Sequence, residues 1–210
     1  MSAITLYDYE LDEHCYRVRL LLTMLGLEWE PHPIDMVPGE EEKQPPMLAL
    51  NPLGRLPVMK DGDLVLQGTE ALLAYLARAY DGANTWLPAE AADFGRVMMW
   101  LNFSTLDLQS ASQARLQSLF GTTGVDAPLI EASRNAFRIM DDHMTKRGYE
   151  NGEWFVGDHV TLADLALFPS FALSRDFGID HDEFPALRRW IRRFRNLENF
   201  TTMPGIPDYH

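Results

Sequence analysis

Cysteine is the scarcest residue of this chain, with Cys15 the single example among 210 residues. An intrachain disulfide and a cysteine-built metal cluster are both impossible, although a site of histidines and carboxylates stays open. Long apolar runs are missing too: Leu20 to Leu22, Met47 to Leu50 and Leu162 to Pro169 fall far below the ~20 residues that span a bilayer. Met1-Ser2-Ala3-Ile4 lacks the basic residues that open a secretory signal, so a cytoplasmic location is expected. Positive charge is in short supply, since 18 Lys and Arg stand against 31 Asp and Glu, for a net charge of −13. Both halves of the chain are acidic, which disfavours nucleic acid and anionic membranes as partners. The one basic run, Arg188 to Arg195, carries Trp190, Ile191 and Phe194 at helical spacing and reads as the solvated face of an amphipathic helix.

What is present is the material of an ordinary globular chain, 46% apolar and 23% charged, without internal repeat or low-complexity segment. Ile4 to Tyr7 is a β-branched and aromatic run, and Val18, Leu21, Leu22 and Leu25 follow at helical spacing up to Gly26. Leu27 to Asp35 reads as a strand that Pro31 and Pro33 confine to a sheet edge. Two apolar runs around Asp61-Gly62 predict a hairpin with positive φ at Gly62, and a helix follows from Thr69 to about Tyr80. The order βαβ then ββα suits a small mixed sheet with helices on its faces. Residues 81–90 are turn-rich and read as a linker between a 1–80 domain and a helical 91–210 domain. In the latter, Phe94, Val97, Met98, Leu101 and Leu108 mark one helix, and Leu129, Ala132, Ala136, Met140 and His143 another. Thr161-Leu162-Ala163-Asp164 is a capping box, a folding signal.

Chemistry concentrates in the segment Leu50-Asn51-Pro52-Leu53-Gly54-Arg55-Leu56-Pro57-Val58 and in Gln67-Gly68-Thr69-Glu70-Ala71-Leu72 after the hairpin. A cis Leu56-Pro57 bond would turn the Leu56 N–H and C=O outward, offering an extended peptide two strand-like hydrogen bonds. Thr69 at a helix N-terminus suits a carboxylate. Taken singly, Pro57 is a rigid start to a strand and Thr69 a simple cap; in this order the two point to an anionic, peptide-like ligand.

These motifs, the Thr-x-x-Asp box and the closing Met203-Pro204-Gly205-Ile206 together resemble a cytosolic glutathione transferase over the whole chain. The resemblance implies a thioredoxin-like N-terminal domain, an all-helical C-terminal domain and a homodimer. It further implies glutathione as co-substrate, no metal, and a small hydrophobic electrophile as the second substrate. Leu6 to Arg19 is similar to the zeta-class, maleylacetoacetate isomerase pattern, but Asp12 stands where those enzymes keep a thiolate-stabilising serine and others a cysteine. A carboxylate there cannot donate a hydrogen bond unless protonated, and its charge raises a thiol's pKa. The site implied is therefore the Asp12-Glu13-His14-Cys15 turn, its N–H groups holding the sulfur, with Tyr9 as a hydroxyl donor and Tyr7 read as core strand.

Gly68 is a second departure, for relatives usually place Glu, Gln or Asp there. Glu70, or an acid from a partner subunit, is the candidate to replace that ligand for an ammonium group. Lys43 and Gln44 fall where relatives hold the glycyl end, with Glu40, Glu41 and Glu42 opposing a carboxylate beside them. Met98, Met99, Phe103 and Asp107 fall where relatives build the electrophile pocket, although helical methionines and aromatics also serve as core. Two alternatives stay open. One is a binding protein of this fold without catalysis, favoured by Asp12 and Gly68; the other is Cys15-dependent glutathionyl or peroxide chemistry, which needs solvent at Cys15.

Overall fold

The computed structural model describes residues 4–206, which divide after Gly82 into two compact units. In the first, strand β1 (Ile4–Asp8) leads into helix α1 (Glu13–Met24), which ends at Leu25 with Gly26 in the left-handed region at φ +65°. Strand β2 (Trp29–Pro33) pairs with β1 in parallel and forms one edge of the sheet, so its prolines sit where no ladder N–H is lost. A single helical turn, α2 (Pro45–Leu48), precedes the antiparallel hairpin β3 (Val58–Asp61) and β4 (Leu64–Gln67), and helix α3 (Thr69–Tyr80) closes the unit. The sheet order β2-β1-β3-β4, with β3 antiparallel to β1, is the thioredoxin-like arrangement the resemblance implies. The hairpin turn sits one residue later than its Asp-Gly signal suggests. Asp61 pairs with Leu64 inside the ladder, and Gly62-Asp63 makes the turn with Gly62 at φ +58°.

Alternation gives the sheet two unlike faces. One carries Ile4, Leu6 and Met59, at most 3% exposed, together with Asp8 and Asp61 at its rim. Asp8 reaches Arg19 of α1, and Asp61 accepts the hydroxyls of Tyr75 and Tyr80 of α3, so α1 and α3 cover this face. The other face carries Tyr7 and Val58 directly opposite each other, and it packs on Ile34 and on Met47 of α2. Four residues of helix cover a sheet face only in part.

The second unit is helical: α4 (Ala91–Leu106), α5 (Gln109–Phe120), α6 (Ala127–Tyr149), α7 (Leu162–Ala172) and α8 (Pro185–Arg195). Every residue of α7 is buried, which explains an apolar run without helical periodicity, since a helix covered all round needs no polar stripe. The capping box forms as expected, and Asp164 does more than cap. Its carboxylate accepts the Thr161 N–H, the Phe155 N–H and the Trp190 indole N–H, each at 3.0 Å. Leu187, Trp190, Ile191 and Phe194 of α8 turn inward, leaving its arginines on the outer face.

Three details differ from the expectation. Residues 83–90 belong to the helical unit: Trp86 and Leu87 are buried, and the Trp86 carbonyl accepts the Leu162 N–H at 2.8 Å. Leu108 lies beyond α4 and caps α5, because the chain turns at Asp107. Ala132 is exposed; the inward stripe of α6 runs through Ser133, Ala136, Phe137, Met140, Asp141 and Met144.

His181 is fully buried and stacks on Phe171 at 4.5 Å. Burial, with help from Arg175, pushes its pKa down to about 4. The folded state holds His181 neutral while the unfolded chain protonates it below ~6.5, so this contribution to stability is lost as pH falls from there toward 4. Denaturant melts of the wild type and His181→Gln should show the difference between them shifting toward the variant by about 3 kcal/mol from pH 7 to 4. Parallel pH profiles would contradict this.

Candidate functional site

The turn before α1 is held from behind. Arg19 of α1 reaches back to the Asp8 carboxylate, to the Tyr9 carbonyl at 3.2 Å and to the Glu10 carbonyl at 2.9 Å. Asp12 then adopts extended φ/ψ at the N-cap, 8% exposed, and accepts the Cys15 N–H at 2.8 Å. That N–H, one of the donors expected to meet a ligand sulfur, is already taken, which leaves the His14 N–H in the same turn. Cys15 itself corrects the sequence reading. It is 0% exposed, and burial, then Asp12 and Asp8, pushes its thiol well up. The helix N-terminus cannot activate a thiol that solvent does not reach. Tyr9 is half-buried, and burial with Asp35, Asp12 and Glu10 raises its pKa, so its hydroxyl stays a donor at neutral pH.

Arg17, to which the sequence reading gave no role, is the centre of this region. Its side chain is 0% exposed; Nη2 donates to Glu13 Oε1 at 3.0 Å, and Nη1 lies 3.9 Å from Glu70 Oε1. Nη1 also meets His14 Nδ1 at 3.3 Å, which leaves that nitrogen the acceptor and puts the imidazole proton on Nε2. One guanidinium thus ties the first turn of α1 to the first turn of α3. The spacing of Glu13 and Arg17, four residues apart in a helix, is the signal that could have found it. Glu70 consequently faces a cation of its own chain, and its charge is already partly committed.

At the start of α3 the cap is Gly68, at φ +87° and ψ 124°, and no side chain closes the helix. Thr69 is therefore the first helical residue rather than the cap, and it is buried. An uncapped N-terminus on a helix of 12 residues presents aligned N–H groups with partial positive charge. The Asn-Pro-x-Gly turn is organised by Asn51, buried, whose side chain donates to the Arg55 carbonyl at 2.7 Å and accepts the Leu53 N–H at 3.0 Å. Gly54 supplies φ +57°, and the Leu56–Pro57 bond is cis. Lys43 is spent on Glu40 and Glu42, while Gln44 lines a cavity of about 500 Å³ with Tyr7 and Lys60. The structure thus gathers Glu13, His14 and Glu70 around Arg17, keeps Asp12 on the Cys15 N–H at the helix cap, and pairs Lys43 locally with Glu40 and Glu42.

In the helical unit, Met98 and Met99 are exposed, at 39% and 55%. Phe103 is half-buried against Trp100, and Asp107 lies past the end of α4. These four expected pocket residues line neither of two cavities of that unit, one of about 570 Å³ floored by Phe155 and Val156, the other of about 520 Å³ beside Asn151 and Glu153. Among the described residues no group of three or more His, Cys, Asp and Glu is placed to hold a metal ion, and no helix is long and apolar enough to cross a membrane.

Comparison with known proteins matches residues 6–84 to the family model of the glutathione S-transferase N-terminal domain and residues 127–198 to that of the C-terminal domain. The chain is 30% identical over 205 residues to glutathione S-transferase 1 of Dianthus caryophyllus, covering 93% of this chain and 88% of the relative. It is 28% identical over 194 residues to maleylacetoacetate isomerase of Pseudomonas aeruginosa, covering 88% and 87%. The crystal structure of a glutathione transferase homologue from Lodderomyces elongisporus, with two GSH per subunit, superposes with a TM-score of 0.84 at 26% identity, over 95% of this chain and 96% of that one. Both units are thus matched and one relative runs nearly end to end at 30% identity, so the chain belongs to the glutathione S-transferase family.

Proposed function

We propose that the protein is a glutathione-dependent transferase, working as a cytoplasmic homodimer, in which the thiol of glutathione attacks a small hydrophobic electrophile. The sulfur loses its proton to solvent, forms a bond to the electrophilic carbon, and the displaced group leaves; a transient attack of the same kind would serve isomerisation or ether cleavage. The observation that carries this reading is the uncapped N-terminus of α3, tied through Arg17 to the first turn of α1. One helix end suits a peptide carboxylate, and the other, with the Tyr9 hydroxyl, suits a sulfur. Its contribution is positioning and stabilisation of developing charge, which are large terms in enzymatic catalysis.

Asp12 sets the character of the sulfur site. As a cap it stabilises α1, and its charge works against a thiolate nearby. That favours a second reading, a binding protein of the same fold with little transferase activity.

Three measurements test the proposal. Calorimetric titration with glutathione should give saturable binding; none at millimolar ligand would remove the reading altogether. Asp12→Ser keeps a competent cap, so stability should change by less than about 1 kcal/mol. The ultraviolet thiolate signal of bound glutathione should appear at lower pH in this variant, with activity held or raised toward an electrophile panel. Collapse of activity with stability intact would make Asp12 an acid–base group instead of a cap. Arg17→Met leaves Glu13 buried without its cation and should cost about 3–5 kcal/mol in a denaturant melt. Unchanged stability would show that the guanidinium does not hold the two helix ends.

A further inference from the structure

The helical unit holds a cavity whose polar groups the transferase chemistry does not use. It is the one of about 570 Å³ floored by Phe155 and Val156, where the first turn of α4 meets the end of α6. His143, Lys146 and Arg147 of α6 and Glu150 at its C-cap follow the i, i+3, i+4, i+7 spacing of one helix face, and all four line this wall.

His143 is a neutral acceptor in a fixed position. Its Nε2 lies 3.0 Å from the Phe155 carbonyl, which can only accept, so the ring proton is on Nε2 and Nδ1 keeps its lone pair. Burial lowers the pKa, and the ring is neutral at pH 7. Phe155 stacks on it at 5.3 Å and Trp100 meets it edge-on at 4.8 Å, which sets its orientation. No described group meets Nδ1, and it is not among the polar atoms sealed from solvent, so the lone pair opens to the cavity.

The charged groups differ in how far they are committed. Arg96 is held by Asp93 at 2.6 Å. Arg147 spends Nε on the Trp154 carbonyl at 3.1 Å and Nη2 on the Gly157 carbonyl, and only Nη1 is left for Glu150, at a long 3.5 Å. Among the described residues Lys146 has no ion pair. An open ammonium one turn from a neutral acceptor and a loosely held carboxylate is complementary to a molecule with a carboxylate and an ammonium on one carbon. A plain anion would leave Nδ1 and Glu150 unmatched, and a plain amine would leave Lys146 so. The apolar floor is there for a side chain.

We propose that this cavity binds a free aromatic α-amino acid, its carboxylate on Lys146, its ammonium on His143 Nδ1 and Glu150, and its ring over Phe155 and Val156. The site is built within residues 93–157 of the helical unit, and it does not rest on the glutathione reading.

The probe is L-phenylalanine, titrated by calorimetry into the full chain with and without saturating glutathione. Saturable binding at one site per chain is expected in both. Phenylpropionate, which lacks the ammonium, and phenylethylamine, which lacks the carboxylate, should each bind at least about tenfold more weakly. Lys146→Met and Glu150→Gln, at exposed positions, should each weaken phenylalanine binding by a similar factor while the melting temperature holds. Equal affinity for phenylpropionate would make this a site for a plain anion, and competition by glutathione would make phenylalanine a ligand of the glutathione site; either would overturn the proposal. Absence of binding at millimolar phenylalanine, or unchanged affinity in a folded Lys146→Met, would overturn it as well.

Discussion

The arrangement of the candidate site depends on one buried cation. A guanidinium taken wholly out of water is expensive, and Arg17 is tolerable only because Glu13, His14 and Glu70 converge on it. The converse holds equally: three side chains from two helices have their directions set by where that charge lies. The first turns of α1 and α3 are distant in sequence. Packing on the same apolar sheet face brings the two helices together, and the buried guanidinium fixes how the acids of their first turns are directed.

The helical unit solves the same problem with the opposite sign. Asp164 sits in its core and gathers N–H groups from the segment before α7, from its own cap and from α8. There the anion is met by neutral donors in fixed positions and serves only the scaffold. Around Arg17 the partners are ionisable, so the same economy of burial leaves a region whose charge can respond to a bound molecule.

Much of this was legible in the sequence, because the signals were local. Period changes, prolines, Gly26, Gly62 and the capping box each act within a few residues, and the elements they predict are present. Errors fell where a distant contact decides. Asp61 joins the ladder because two tyrosines of α3 hold its carboxylate, and Trp86 is drawn into the helical unit by Leu162. Thr69 starts α3 where the sequence placed it, but the cap ahead of it is Gly68, which brings no side chain to the helix end. Cys15 stood open between packed core and site lining, and its complete burial, which decides for core, could not be read from the helix alone. Lys60 and Tyr7 are ordinary strand residues in sequence; only the shortness of α2 leaves them facing an open space.

Gly68 sets a limit on what this end of the helix can offer a ligand. A Cβ built there meets nothing within 4 Å, so space does not demand glycine; the backbone, at φ +87°, does. An acidic or amide side chain placed there would meet strain of about 1–3 kcal/mol before it met any ligand. While the peptide keeps this conformation, position 68 serves a ligand through its main-chain groups alone.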